Sequence, residues 1–275
     1  MVNNYKIVVF DLDETLGYFV ELGVFWLGLE EYFGFIHDNY KLSQTVFNQI
    51  LDLYPEFQRP NIMYILNYLK LKKTTNACNK IMIYTNNQGP KYWSEYIQQY
   101  YESKMNYKLF DQIISAFKIN GEKIEIGRTS HRKSHADLIN CTKIPPNAEI
   151  CFLDDTYYQD MVHDNVYYIN VKPYIHDIRI EVLLDRLIKS EVLQKQIKNT
   201  RIFQTYIMTF IQQYNYVCKI KDEKELQIDK AISKKIMEHL RVFFKNNNNI
   251  TNMNNTLKNK YPGHNKTYKN KKYEL

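Results

Sequence analysis

Short apolar runs, each closing on a polar turn, recur through the first two thirds of the chain. Ile7-Val8-Val9-Phe10, Ile81-Met82-Ile83-Tyr84 and Ile150-Cys151-Phe152-Leu153 are unbroken runs dominated by β-branched and aromatic residues. That is the pattern of strands covered on both faces. With two weaker runs they predict strands at 5–10, 81–85, 111–115, 149–153 and 166–171. Between them, helices are predicted near 44–54, 60–71, 91–103 and 134–140. Strands alternating with helices predict an α/β fold: three layers around a Rossmann-like, mainly parallel five-stranded sheet.

Beyond Pro173 the period becomes helical throughout, with apolar residues spaced three and four apart over 178–197, 200–219 and 224–244. The first stretch is expected to close the sheet. The other two read as a helical hairpin appendage, packed on the body or presented as a dimerisation or docking surface. The predicted organisation is a body over 1–198, an appendage over 199–245 and a tail over 246–275.

The excess of positive charge is confined to the end of the chain. The formal net charge is +7, yet residues 241–275 hold eight basic residues against Glu274, so the first 240 residues balance. The Asn/Lys-rich tail from Asn246 is too poor in apolar surface to fold alone. Nonspecific contact with nucleic acid or an acidic partner is one reading of it; a solvated tail reflecting biased composition is the simpler one. The 24 Tyr and 14 Phe supply ample core material. Cys78, Cys141, Cys151 and Cys218 lack metal-ligand spacing and read as reduced thiols. No run approaches the roughly 20 apolar residues that cross a bilayer, and the first strand begins almost at Met1. A cytoplasmic or nuclear location without membrane attachment is therefore expected.

The candidate chemistry lies where the strands stop. The first strand ends in Asp11-Leu12-Asp13-Glu14-Thr15, placing two acids at the carboxyl end of a buried strand, where open α/β sheets bind ligands. The second ends in Thr85-Asn86-Asn87-Gln88-Gly89, in which a hydroxyl and a main-chain N–H are placed to hold a phosphate. The fourth ends in Asp154-Asp155, a second acidic pair of the kind a hard cation such as Mg²⁺ favours. Before it comes the basic cluster His131-Arg132-Lys133-Ser134-His135, whose lysine is a candidate to neutralise an anion.

Acid pair, threonine, lysine and acid pair, in that order over residues 5 to 175, resemble the haloacid dehalogenase superfamily of phosphohydrolases. Asp11-Leu12-Asp13-Glu14-Thr15-Leu16, with Arg59-Pro60 opening a helix, is most similar to the branch of protein Ser/Thr phosphatases related to those acting on the C-terminal tail of RNA polymerase II. The chain departs from that branch at Gly17-Tyr18-Phe19-Val20 and at Thr156-Tyr157. The resemblance implies that Asp11 is the nucleophile and Asp13 the general acid and base. It implies Mg²⁺ on Asp11, Asp154 and the main-chain carbonyl of Asp13, with Asp155 acting through water or as a more distant acceptor. Thr85, the Asn86 amide and Lys133 would hold the phosphoryl group.

In that superfamily the insertions decide substrate size. Residues 17–58 are a possible small cap or flap, with Phe25 and Trp26 either a substrate ledge or core, and 116–132 is a shorter second insertion. A small or absent cap favours a phosphorylated protein as substrate. A small-molecule or nucleic-acid-end phosphatase, or a non-catalytic binding module on the same fold, are the alternatives. The last would be free to lose Asp13 or Asp154, and both are present.

Overall fold

The computed structural model describes residues 5–36, 40–214 and 218–245. The tail assigned to 246–275, with its suggested nucleic-acid contact, lies outside them. Five strands, β1 (Lys6–Phe10), β2 (Lys80–Tyr84), β3 (Gln112–Ile114), β6 (Glu149–Asp154) and β7 (Val166–Asn170), form one sheet in the order β3-β2-β1-β6-β7. Every pairing in it is parallel. The remaining strands, β4 (Lys118–Ile119) and β5 (Glu122–Lys123), make a small antiparallel hairpin inside the 116–132 insertion. Its turn is Asn120-Gly121, both with positive φ, as a tight two-residue hairpin requires.

The register levels the strand ends. Phe10 pairs with Ile83 on one side and Leu153 on the other, so Asp11, Tyr84 and Asp154 emerge side by side. Strand order reverses at β1, which makes the crevice above β2, β1 and β6 the place where such sheets bind ligands.

Alternation along the central strand divides the core in two. Val8 and Phe10 point into a large cluster, Ile7 and Val9 into a smaller one on the opposite face. The smaller cluster is closed mainly by α5 (His135–Thr142) through Leu138. The larger is covered by α1 (Phe19–Ile36), α2 (Gln44–Leu53), α3 (Ile62–Thr74), α4 (Lys91–Met105), α6 (Ile180–Lys189), α7 (Thr200–Gln212) and α8 (Glu223–Lys245).

Helix α1 has no counterpart among the predicted helices. It is apolar nearly all round, so it lacks the one-sided period that marks a surface helix, and such a helix belongs inside. Phe25 and Trp26 are fully buried core residues rather than a substrate ledge. Trp26 meets Phe47 of α2 edge-on at 5.4 Å, and Tyr54 donates to the Leu183 carbonyl of α6 at 2.5 Å. The described residues of 17–58 are thus largely built into the helical layer.

The two C-terminal helices dock separately instead of pairing as a hairpin. Helix α7 lies on α1, where Gly28 lets Phe210 approach so closely that a Cβ would come within 2.9 Å of its ring. Helix α8 lies beside β7. There Lys6 Nζ donates to the Phe243 carbonyl at 3.0 Å, and His239 Nδ1 meets the Tyr167 hydroxyl at 2.7 Å. The helix predicted over 178–197 ends at Lys189, because the Ser190 hydroxyl turns back to the Leu187 carbonyl and accepts from Val192 N–H. No described helix is long and apolar enough to cross a membrane.

Candidate active site

The turn after β1 is held in a strained shape. Glu14 has φ 58°, left-handed and unusual for a residue with a side chain. Its N–H donates to the Gly17 carbonyl at 2.7 Å and its carbonyl accepts from Tyr174 N–H at 2.8 Å. Arg59, only 1% exposed, clamps the same turn: Nε donates to the Thr15 carbonyl at 2.5 Å and Nη2 to the Glu14 carbonyl at 2.6 Å. Burial lowers the pKa of this guanidinium to about 10, still well above neutrality, so the clamp stays charged. Arg59-Pro60, noted in the sequence only as a helix start, therefore fixes the loop that carries Asp11 and Asp13.

Lys133 joins the two acidic pairs. Its ammonium, 1% exposed, donates to Asp11 Oδ1 and, at 2.6 Å, to Asp154 Oδ2. It reaches them because the loop before α5 is tied at three points. Ser134 caps the helix by accepting from Asp137 N–H at 3.1 Å. Asp137 accepts from Thr129 N–H at 3.0 Å, and Arg128 Nη2 donates to the His131 carbonyl at 3.0 Å. Burial works against the charged lysine, but Asp11 and Asp154 outweigh it and hold its pKa above the ordinary value. Burial raises the Asp154 carboxyl, with Lys133 pulling the other way.

One oxygen from each of Asp11, Asp154 and Asp155 lies within 4.8 Å of the others. An all-carboxylate set at this separation fits a hard cation such as Mg²⁺. Asp155, expected to act at one remove, comes as near as the other two; its Oδ1 accepts from the Thr15 hydroxyl at 3.1 Å.

Thr85 directly follows the last residue of β2, is 3% exposed, and its hydroxyl oxygen accepts from Asn87 N–H at 3.0 Å. That contact occupies an acceptor position and leaves the hydroxyl proton to donate. The Asn86 side chain is committed to bracing: Oδ1 accepts from Arg128 Nη2 at 2.8 Å and Nδ2 donates to the Tyr158 hydroxyl at 3.0 Å. Its main-chain amide remains the group suited to an anion.

Three contributors escaped the sequence reading. Arg128, fully buried and stacked 4.8 Å over the Tyr84 ring, donates to the Thr85 and Ser115 carbonyls and so joins the phosphate-loop candidate to the lysine loop. Tyr158 lies with its ring 5.6 Å from the Lys133 ammonium. Asn87 donates to Asp13 Oδ2 at 2.7 Å. Nothing local marks Arg128; Asn87 was visible only as one of two adjacent asparagines.

Comparison with known proteins finds no family model, curated protein or solved structure that matches the chain. The site speaks through its geometry.

Burial governs the titration behaviour here, with the neighbouring carboxylates adding to it. Burial raises Asp13 from 3.8 to about 7, with the Asn87 hydrogen bond opposing it and the Asp11 charge adding to it. Burial, then Asp155 and Asp13, raise Glu14 from 4.5 to about 7. Between those limits the folded chain binds more protons than the unfolded one, so these groups cost stability as pH rises through the window. His135, His176 and His239 are held below their ordinary value by burial and act in the opposite sense. The difference between wild type and Asp13→Asn reports this acid together with the part of the Glu14 shift that Asp13 causes. In chelator, wild type should lose stability relative to Asp13→Asn as pH rises from about 4 to about 7, then run parallel to it. Urea midpoints across that range check this; a gap that stays constant or closes would contradict the assignment.

Proposed function

We propose that the chain is a Mg²⁺-dependent phosphomonoesterase that works through an aspartyl-phosphate, with phosphorylated protein (Ser/Thr) as its substrate class. The observation that supports it most is the meeting of Asp11, Asp154, Asp155 and Lys133 at the level carboxyl ends of β1 and β6.

Asp11 attacks phosphorus as the ester oxygen leaves, dividing one displacement into two. Asp13 gives that oxygen a proton and later takes one from the attacking water. Proton transfer of this kind contributes about 10²–10⁴-fold. The Thr85 hydroxyl and the Asn86 N–H hold phosphoryl oxygens, and Lys133 offsets their charge beside Asp11. Asp11, Asp154 and the Asp13 main-chain carbonyl are the residues to hold Mg²⁺, with Asp155 alongside. A bound Mg²⁺ supplies electrostatic stabilisation of the phosphoryl oxygens.

The substrate class rests on the resemblance of the first motif and on the insertions. Much of 17–58 is buried in the helical layer and 116–132 folds as a two-strand hairpin. The rim at Gln88, Pro90, Thr156 and Tyr157 is exposed. Such a rim suits a phosphorylated side chain on a larger molecule.

A Mg²⁺-dependent assay of phosphopeptides, mononucleotides, sugar phosphates and 3′-phosphorylated DNA tests the proposal. Phosphopeptide hydrolysis lost on chelation is expected. Preference for mononucleotides or DNA ends would overturn the substrate class, and no hydrolysis of any would overturn the enzyme.

A further inference from the structure

Asn87 is held by its own loop with one end of its amide aimed at Asp13. Its Oδ1 accepts from Gly89 N–H at 2.8 Å, its main-chain N–H donates to Thr85 Oγ1 at 3.0 Å, and its Nδ2 donates to Asp13 Oδ2 at 2.7 Å. The Gly89 contact fixes which end of the amide is which, because a main-chain N–H requires an oxygen opposite it. Asp13 Oδ2 therefore faces a donor and must accept. Asp13 Oδ1, by contrast, is buried without a hydrogen-bond partner among the described residues. The two oxygens of one carboxyl are made chemically different.

We propose that Asn87 is a positioning residue: it reserves Asp13 Oδ2 as an acceptor and so assigns proton transfer to Asp13 Oδ1. This rests on the phosphatase reading above. In the first half-reaction the bond from Asp11 to phosphorus forms and the bond from phosphorus to the ester oxygen breaks. The proton on Asp13 Oδ1 passes to that departing oxygen. In the second, water oxygen bonds to phosphorus, the Asp11–phosphorus bond breaks, and a water proton returns to Asp13 Oδ1. A proton on Oδ2 would confront the Asn87 N–H.

An alkoxide leaves poorly without a proton, whereas a dinitrophenolate leaves readily without one. Loss of Asn87 should therefore be felt by one kind of substrate only. The experiment follows leaving-group release in the first turnover of the Mg²⁺-loaded protein. It compares a phosphoserine peptide with dinitrophenyl phosphate, for wild type, Asn87→Ala and Gly89→Ala. The second variant leaves Asn87 in the chain but brings a Cβ within 2.8 Å of its Oδ1, pushing the amide aside. Thermal melts confirm that each variant is folded.

For both variants the phosphoserine rate should fall about 10–100-fold, a part of the roughly 10²–10⁴-fold that general acid catalysis supplies. The dinitrophenyl phosphate rate should stay within about twofold. Equal falls with both substrates would overturn the assignment, making Asn87 a phosphate-loop brace. Unchanged rates with both would overturn it as well. A wild type that releases neither leaving group would overturn the phosphatase reading, and the role of Asn87 with it.

Discussion

Asp11→Asn should reduce turnover of every phosphomonoester to background, a fall of about 10⁴-fold or more of the size seen when a nucleophile is removed. The amide keeps the shape of the side chain and loses the charge that attacks phosphorus. The fold should survive, because the flanking strand is set by Ile7, Val8, Val9 and Phe10, all essentially buried, and Lys133 retains Asp154 as a partner. The expected stability cost is about 1–2 kcal/mol, that of one weakened charged hydrogen bond. Urea denaturation and turnover assays on the same preparation check both halves. Retained turnover would remove Asp11 as nucleophile.

Lys133→Met should damage both stability and activity, and stability more than any other single change at the site. Lys133, Asp11 and Asp154 form a buried set of one ammonium and two carboxyl groups. Removing the cation leaves two carboxylates with no counter-charge between them. Breaking such a set by deleting one partner costs about 3–5 kcal/mol, because an uncompensated charge stays buried. In chelator, the urea midpoint should fall accordingly. Adding Mg²⁺ should recover more stability in Lys133→Met than in wild type, since a cation held by Asp11 and Asp154 supplies the missing positive charge. A variant as stable as wild type in chelator would show that Lys133 does not neutralise the pair.

The parts of this arrangement legible in the sequence were those written in consecutive residues. A strand buried on both faces shows as an unbroken apolar run, so β1, β2 and β6 and the acids or threonine at their ends could be read directly. Lys133 could be named from the resemblance, and the capping of α5 by Ser134 and the Arg128 brace give the physical reason that it is the basic residue of this loop that reaches the acids. Helix α1 was hidden because its apolar character runs all round, leaving no period to detect. Helix α8 looked like half of a hairpin because its stripe of Ile236, Leu240 and Phe243 says that it is covered without saying by what; β7 and Lys6 cover it. Arg59, Asn87 and Arg128 act across 44, 74 and 43 residues of chain respectively. Pairings of that span belong to the fold, and no local pattern announces them.

A covalent bond between Asp11 and phosphorus can be trapped during turnover. Protein mixed with Mg²⁺ and a phosphomonoester, quenched in acid within the first turnover and digested, should carry one phosphoryl group on the peptide spanning Asp11. That group should be released by hydroxylamine, as an acyl phosphate is, and should be absent from Asp11→Asn. A phosphoryl group found on another residue, or turnover with none trapped at any quench time, would contradict the account.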